Sequence, residues 1–397
     1  MRLVHLSDLH LGYRQYQRLT PGGINQREAD VAGTFRAAID RIIALGPDVV
    51  VIGGDVFHTV RPTNQAILHA FVQFARLVQA LPNAIVVMIA GNHDTPRSVE
   101  TGGILQLFRQ LGMHVVDRDA QRLSFAAHDL SILAVPDVPG IPRPAFTPDP
   151  SARYNVLLLH GEVQGMLPAH AAAGDRAALE ISQEDLGASR WTYVALGHYH
   201  VHREIAPNAF YSGSIDYTSA NTWGELYEER LGGLSGKGFI ERDLESGRHV
   251  FHGLPASRPL IDLPPISARG LSSAEVDARI RQAIDGCEGG IDDKVVRLVV
   301  RDLPRHIARE LDHKSLREYK RRALNFQLDV HRPEFPRLHG TSGAPGRRPS
   351  LADFVREKLA SRQVESDIDS AELVARGLAY LQEAETVMTM PAAAAEV

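Results

Sequence analysis

Seven side chains with metal-binding donor atoms follow short apolar runs in this chain of 397 residues. They are two carboxylates, one amide and four imidazoles: Asp8, His10, Asp55, Asn92, His160, His198 and His200. Oxygen and nitrogen donors without a thiolate favour manganese, iron or zinc over a magnesium ion held by oxygens alone. Seven ligands exceed the need of one four-coordinate ion and suit two ions that share a bridging carboxylate. Two ions about 3.5–4 Å apart could clamp the attacking and leaving oxygens of a phosphoryl displacement and activate the attacking water.

The elements that must position these side chains are strands. The runs LVHL, VVVI, IVVMI, VLLL and YVAL, which begin at Leu3, Val49, Ile85, Val156 and Tyr193, are typical of buried strands. Apolar residues at helical spacing predict helices over 26–45 and 62–80. Strand, helix and strand in alternation predict a layered α/β fold whose ligand lies beyond the carboxyl ends of the strands. A single D-x-H triplet would fit a polar loop equally well, but five strand ends of one kind indicate a common site.

Composition limits the classes of protein that fit. The chain is 44% hydrophobic and 23% charged, as in globular proteins, and its single cysteine excludes an intrachain disulfide. No apolar run reaches about 18 residues and no apolar signal region opens the chain, so we expect a cytoplasmic protein without a membrane partner. The net charge of −5 is not that of a protein that holds nucleic acid by charge alone. A phosphate-rich ligand would have to be held locally or by bound metal.

The motifs D-x-H, GD, GNHD, HG and GH-x-H occur here in that order, and this set resembles the calcineurin-like metallophosphoesterase superfamily. Within it, the segments GDVFHTVRP, YSGSIDYTSANTWGE and KGFI are similar to the SbcD-type nuclease subunits of DNA double-strand-break repair. The resemblance covers about residues 1–260 well and the remainder loosely. It implies a layered α-β-β-α sandwich with a small α+β capping domain and a helical C-terminal tail.

The resemblance also implies roles for the site residues. Asp55 would bridge two divalent ions, manganese first among the candidates. The remaining ligands would divide between the two ions as follows: Asp8, His10 and His200 on one, and Asn92, His160 and His198 on the other. His93 would stabilise or protonate the leaving oxygen without binding metal, a role worth on the order of 10²–10⁴ in rate.

Two positions depart from the phosphatases of this superfamily. His58 stands where those enzymes have the aspartate that orients the catalytic histidine, and Asp94 stands where they have a glutamate. We expect His58 to contact phosphate or to partner His93, and a plain loop histidine is the alternative. The group that orients His93 is left open.

The remainder of the chain predicts further units. The expected boundaries are a nuclease domain at 1–258, a capping domain at 259–335, a linker at 336–349 and a partner-docking tail at 350–397. Residues 301–322 hold eight Arg or Lys against four Asp or Glu, which suits either DNA contact or a solvated helix face. The tail carries two short amphipathic helices that either dock on a partner or fold back on the capping domain.

The function expected from these features is a two-metal DNA exonuclease, with endonuclease activity as an addition, working with a coiled-coil ATPase of SbcC type. Apolar stripes on the predicted helices 62–80 and 98–111 serve either the core or a homodimer contact. Two rival functions stay open. One is a small-molecule phosphodiesterase or phosphatase of the same superfamily, and the other is a non-catalytic clamp for DNA ends.

Overall fold

The computed structural model describes residues 1–95, 103–142, 144–166, 176–234, 236–333, 350–361 and 369–389. The chain divides into two compact units, Met1–Pro333 and Glu334–Val397. The strands are β1 (Arg2–Leu6), β2 (Val49–Ile52), β3 (Ile85–Ile89), β4 (His114–Val116), β5 (Gln121–Phe125), β6 (Leu130–Val135), β7 (Tyr154–His160), β8 (Glu162–Val163), β9 (Glu180–Ile181), β10 (Tyr193–Gly197), β11 (Arg203–Ala206), β12 (Ala209–Tyr211), β13 (Gly238–Asp243), β14 (His249–Gly253), β15 (Leu260–Ser267), β16 (Val295–Arg301) and β17 (Asn325–Val330). The α-helices are α1 (Gln26–Leu45), α2 (Asn64–Ala80), α3 (Gln183–Leu186), α4 (Thr222–Leu231), α5 (Ser273–Asp285), α6 (Arg305–Glu310), α7 (His313–Arg322), α8 (Leu351–Ala360) and α9 (Ser370–Thr389).

Two six-stranded sheets form the centre of the first unit. Their strand orders are β14-β13-β1-β2-β3-β4 and β11-β12-β10-β7-β6-β5. The strands β1, β2 and β3 pair in parallel, and so do β6, β7 and β10. Val51 and Val87 of the first sheet share one buried apolar cluster with Leu158 and Ala195 of the second. The predicted sandwich is therefore confirmed, and burial on both faces explains why these strands are continuously apolar.

Helices α1 and α2 cover the outer face of the first sheet, where Phe35 and Phe74 pack edge to face. Both helices match their predicted ranges closely. The Asn25 side chain caps α1 by accepting from two backbone N–H groups, and Gly46 ends it in a left-handed conformation. In the region where a helix is predicted over 98–111, the structure has a 3₁₀-helix at Ile104–Leu111. Residues 98–102 of the predicted helix lie outside the described residues.

A three-stranded parallel sheet, β15-β16-β17, follows the sandwich and carries its own apolar core with α5 and α7. Its strands and helices make this region the small α+β unit that the resemblance implies. Arg258, just before β15, contacts α1, since its Nε lies 2.7 Å from Asp30 Oδ2. Arg18 donates to the backbone carbonyl of Ala323 at 3.1 Å. The boundary at residue 258 stays a prediction.

The second unit contains α8 and α9. Ser350 and Asp353 form a capping box at the start of α8. The two helices lie close together at Gly377, where an added Cβ would stand 2.2 Å from Leu359 Cδ1. At 20 residues α9 is longer than the short helix predicted, and the linker predicted at 336–349 lies outside the described residues. None of the described helices combines the length and apolarity needed to cross a membrane.

Candidate metal centre

The carboxyl ends of β1, β2, β3, β7 and β10 meet at one rim of the sandwich. The backbone N–H of Asp8 donates to Gly54 O at 3.0 Å, and that of His10 donates to Asp55 O at 2.9 Å. Asp8, His10 and Asp55 have φ angles of 54°, 45° and 52°. Such left-handed conformations are costly for residues with side chains and persist only where the surroundings enforce them. The rim is thus built against local backbone preference, which is typical of functional sites.

One group of donor atoms comes from Asp8, His10 and His200, whose ligand atoms lie within 4.8 Å of one another. His10 Nε2 and His200 Nε2 are 3.0 Å apart. The other imidazole nitrogen of His200, Nδ1, lies 3.2 Å from Glu225 Oε1. A proton on Nδ1 facing that carboxylate leaves the Nε2 lone pair directed at the rim.

A second group comes from Asp55, His160 and His198, again within 4.8 Å. Asn92 belongs with it, since its Oδ1 lies 3.1 Å from His160 Nε2 and 3.3 Å from His198 Nδ1. The predicted ligands therefore converge from both sheets. The His160 ring lies directly against the backbone of Gly54, where an added Cβ would stand 2.5 Å from His160 Nδ1.

Asp55 stands between the two groups. Its Oδ2 lies 3.8 Å from His10 Nε2 and 3.4 Å from His160 Nε2. Its Oδ1 accepts a hydrogen bond from the backbone N–H of His93 at 2.9 Å. A single oxygen facing one histidine of each group is an arrangement that suits a bridging carboxylate.

The donor set fits divalent cations. His160 Nδ1 donates to Gly53 O at 2.7 Å, so its Nε2 lone pair faces two further acceptors, Asn92 Oδ1 and Asp55 Oδ2. Without a cation only a proton can relieve this arrangement. Burial opposes a charge on His160, but Asp55 outweighs burial and raises the pKa of His160 to about 10. A bound cation would take the place of that proton.

His93 and His58 lie beside the first group. His93 Nδ1 donates to the backbone carbonyl of His58 at 2.8 Å, and the two rings stack with centroids 5.3 Å apart. His58 Nδ1 lies 3.2 Å from His10 Nδ1. A backbone carbonyl thus orients the His93 ring, a question that the sequence left open. The His58 ring itself is placed against a candidate ligand, His10.

The family model for calcineurin-like phosphoesterases matches residues 1–202, just over half of the chain. The chain belongs to the calcineurin-like phosphoesterase family. This membership confirms both the resemblance and the fold class predicted from the motifs.

Several relatives of this phosphoesterase are named DNA double-strand break repair protein Mre11. The one from Methanocaldococcus jannaschii is 26% identical over 250 residues, 60% of this chain and 61% of its own. The one from Methanococcus maripaludis is 29% identical over 62% of this chain and 63% of its own. The one from Thermoplasma acidophilum is 28% identical over 75% of this chain and 73% of its own. The chain thus spans less than two thirds of the length of the first two.

Asp94 is a rim residue of this phosphoesterase whose role the sequence did not reveal. Its Oδ2 accepts from the backbone N–H groups of Val56 at 3.0 Å and Gly91 at 3.1 Å, and its Oδ1 from that of Phe57 at 2.9 Å. Asp94 therefore fastens the loop after β2 to the loop after β3. Burial, with the nearby Asp55 charge, raises the pKa of Asp94 to about 7 in the metal-free protein.

Each histidine of the GH-x-H motif in this phosphoesterase has a glutamate carboxylate next to one of its ring nitrogens. Glu162 Oε1 lies 3.2 Å from His198 Nε2, and Glu225 Oε1 lies 3.2 Å from His200 Nδ1. Glu162 follows the HG motif directly, and this adjacency was a usable sequence signal. Glu225 comes from α4, a helix that the sequence patterns do not predict.

Proposed function

We propose that this phosphoesterase is a two-metal DNA nuclease that acts in DNA end processing as the nuclease subunit of an SbcCD-like complex. The observation that carries the proposal is the position of Asp55, whose Oδ2 faces a histidine of each ligand group. A site for two adjacent ions suits phosphodiester hydrolysis better than it suits binding alone.

The proposed ligands keep the assignment that the motifs imply. Asp55 would bridge the two ions. The other ligands would divide between them as follows: Asp8, His10 and His200 on one ion, and Asn92, His160 and His198 on the other. Manganese is the proposed native metal because the donors mix imidazole with carboxylate and amide oxygens. When bound, the two ions would supply an activated water and neutralise charge on the phosphodiester.

His93 is the proposed general acid for the leaving oxygen. Its Nδ1–H is donated to the carbonyl of His58, which fixes the ring plane and directs the exchangeable proton to Nε2. Its backbone N–H meanwhile donates to Asp55 Oδ1, so the loop that carries the proposed acid also holds the proposed bridging carboxylate. The His58 ring would position His10 through the contact between their Nδ1 atoms.

DNA is the proposed substrate. The named relatives are DNA double-strand break repair proteins, and the proposed capping domain, 259–335, carries exposed basic side chains on α7. The exposed Arg321 and the partly exposed Arg322 are already paired with Glu318 and Asp292. The proposed phosphate contacts therefore centre on Arg317 and Lys320. The domain at 1–258 would carry the chemistry.

The second unit is the proposed docking segment for a coiled-coil ATPase. Apolar side chains of α8, including Phe354 with 58% of its surface exposed, provide a stripe that a partner groove could bury. A homodimer contact is proposed on α2, where Leu68 is 61% exposed and Val72 is also exposed.

A metal-dependent assay of the full chain tests this function. The substrates are linear DNA and bis(p-nitrophenyl) phosphate, each with Mn²⁺ or with EDTA. We expect Mn²⁺-dependent cleavage of both, and a loss of about 10²–10⁴ in rate in His93→Gln. The exposed His128 gives the matched control, since His128→Gln should leave both rates unchanged. Cleavage of the small diester alone would favour a small-molecule phosphodiesterase, and cleavage of neither would favour a DNA clamp.

A further inference from the structure

A buried cluster of charged side chains lies behind His200. Two of its members come from the segments NTWGE at 221–225 and KGFI at 237–240. Glu225 and Lys237, the charged residues of these segments, meet there with Oε2 and Nζ only 2.6 Å apart. The remaining carboxylate oxygen of Glu225, Oε1, lies 3.2 Å from His200 Nδ1, within ion-pair distance although not aligned for a full hydrogen bond.

Lys237 is connected to His200 in two ways, through Glu225 and through the backbone of His200 itself. Besides Glu225, its ammonium group donates to the backbone carbonyl of His200 at 2.7 Å. It also lies 2.9 Å from Glu229 Oε1 and 4.7 Å from the centre of the Tyr217 ring. The ammonium group thus donates two hydrogen bonds, to Glu225 and to the carbonyl of His200, and has Glu229 as an ion-pair partner, while Lys237 is only 5% exposed. Lys237 therefore fixes both the carboxylate and the backbone of His200.

The charges in the cluster decide how His200 is protonated. Two buried carboxylates, Glu225 and Glu229, meet this ammonium group, and among the described contacts only Glu225 also places a carboxylate charge next to His200. A proton on Nδ1 is favoured next to that charge, and the Nε2 lone pair then points to His10 and the rim.

We propose that Glu225, held in place by Lys237, is the positioning residue that keeps His200 in its metal-binding form. This inference rests on the proposed assignment of His200 as a metal ligand. Carboxylates behind ligating histidines fix the tautomer and ring orientation, and removing such a partner typically weakens metal binding 10–100-fold. Lys237 adds to this effect because it prevents the carboxylate from turning away.

Glu225→Gln is the informative substitution. The glutamate offers one oxygen to Lys237 and one to His200, whereas glutamine has a single oxygen for these two donors. We expect Mn²⁺ to bind 10–100-fold more weakly in calorimetric titration of the full chain. Glu229→Gln is the matched control, because among the described contacts Glu229 reaches Lys237 and Tyr217 but not His200. Its Mn²⁺ affinity should stay within about threefold of wild type.

Nuclear magnetic resonance of protein with ¹⁵N-labelled histidine gives a second readout that does not depend on a variant folding. In the metal-free wild type, His200 should carry its proton on Nδ1. An Nε2–H tautomer would overturn the proposal, as would equal Mn²⁺ affinity in wild type and Glu225→Gln, or equal losses in Glu225→Gln and Glu229→Gln. The His200→Ala variant separates a failure of the ligand assignment of His200 from a failure of the positioning role of Glu225. If it binds Mn²⁺ as wild type does, the ligand assignment itself fails; if it binds weakly while Glu225→Gln does not, only the positioning role fails.

Discussion

Asp94→Ala should lower the free energy of unfolding of the metal-free protein by roughly 3–6 kcal/mol. The Asp94 side chain is 1% exposed, and it accepts three backbone N–H bonds that join the loops after β2 and β3. Each buried donor left without a partner costs about 1–3 kcal/mol, and local relaxation recovers part of the sum. The loss is large against total stabilities of about 5–15 kcal/mol.

Urea unfolding followed by circular dichroism in EDTA measures this loss. Asp94→Asn keeps one carbonyl oxygen and should cost less, roughly 1–3 kcal/mol. Asp312 provides the control, since it also accepts from two backbone N–H groups, at the start of α7, but is partly exposed. Asparagine caps helices as well as aspartate does, so Asp312→Asn should change stability by less than about 0.5 kcal/mol. An Asp94→Ala variant within about 1 kcal/mol of wild type would refute the clamping role.

Three further predictions concern DNA contact, partner docking and acid stability. The double variant Arg317→Ala/Lys320→Ala should reduce the dependence of log affinity for DNA on log salt by about two, and an unchanged slope in filter binding would return α7 to a solvated face. Truncation after Pro349 should leave small-diester hydrolysis intact and abolish co-purification with the ATPase; a melting temperature lowered by several degrees, with partner binding intact, would contradict docking. Burial lowers the pKa of His5 to about 3, so the unfolded chain gains its proton first as pH falls, and stability is lost between about pH 6.5 and 3. His5→Gln should remove roughly 5 kcal/mol of that acid-induced loss, and an unchanged pH profile of urea midpoints would argue against it.

The convergence of the candidate ligands was predictable because one physical rule governs it. Apolar runs identify buried strands, and the carboxyl ends of parallel strands gather ligands. The pattern does not reveal that β1, β2 and β3 lie in one sheet while β7 and β10 lie in the other. Only the packed sandwich shows His160 reaching across to Asn92 at 3.1 Å.

Other parts of the site depend on contacts that leave no signal in the residue types. The group that orients His93 is the backbone carbonyl of His58, and any residue there carries a carbonyl. Asp94 was noticed as a departure from the phosphatase pattern, but its three backbone donors belong to loops whose proximity is a tertiary feature. Glu225 lies 25 positions beyond His200, on a helix that the sequence patterns do not predict, so their contact follows from the fold alone.

The metal content of Asp55→Ala tests the central claim most directly. Wild type and variant are loaded with Mn²⁺, freed of excess metal and analysed by plasma mass spectrometry, with His93→Gln as the matched variant outside the ligand set. A bridging Asp55 predicts about two ions per chain in wild type and in His93→Gln, and fewer in Asp55→Ala, because its Oδ2 faces both ligand groups. An unchanged content of two ions in Asp55→Ala would contradict the bridging role and the two-metal site built on it.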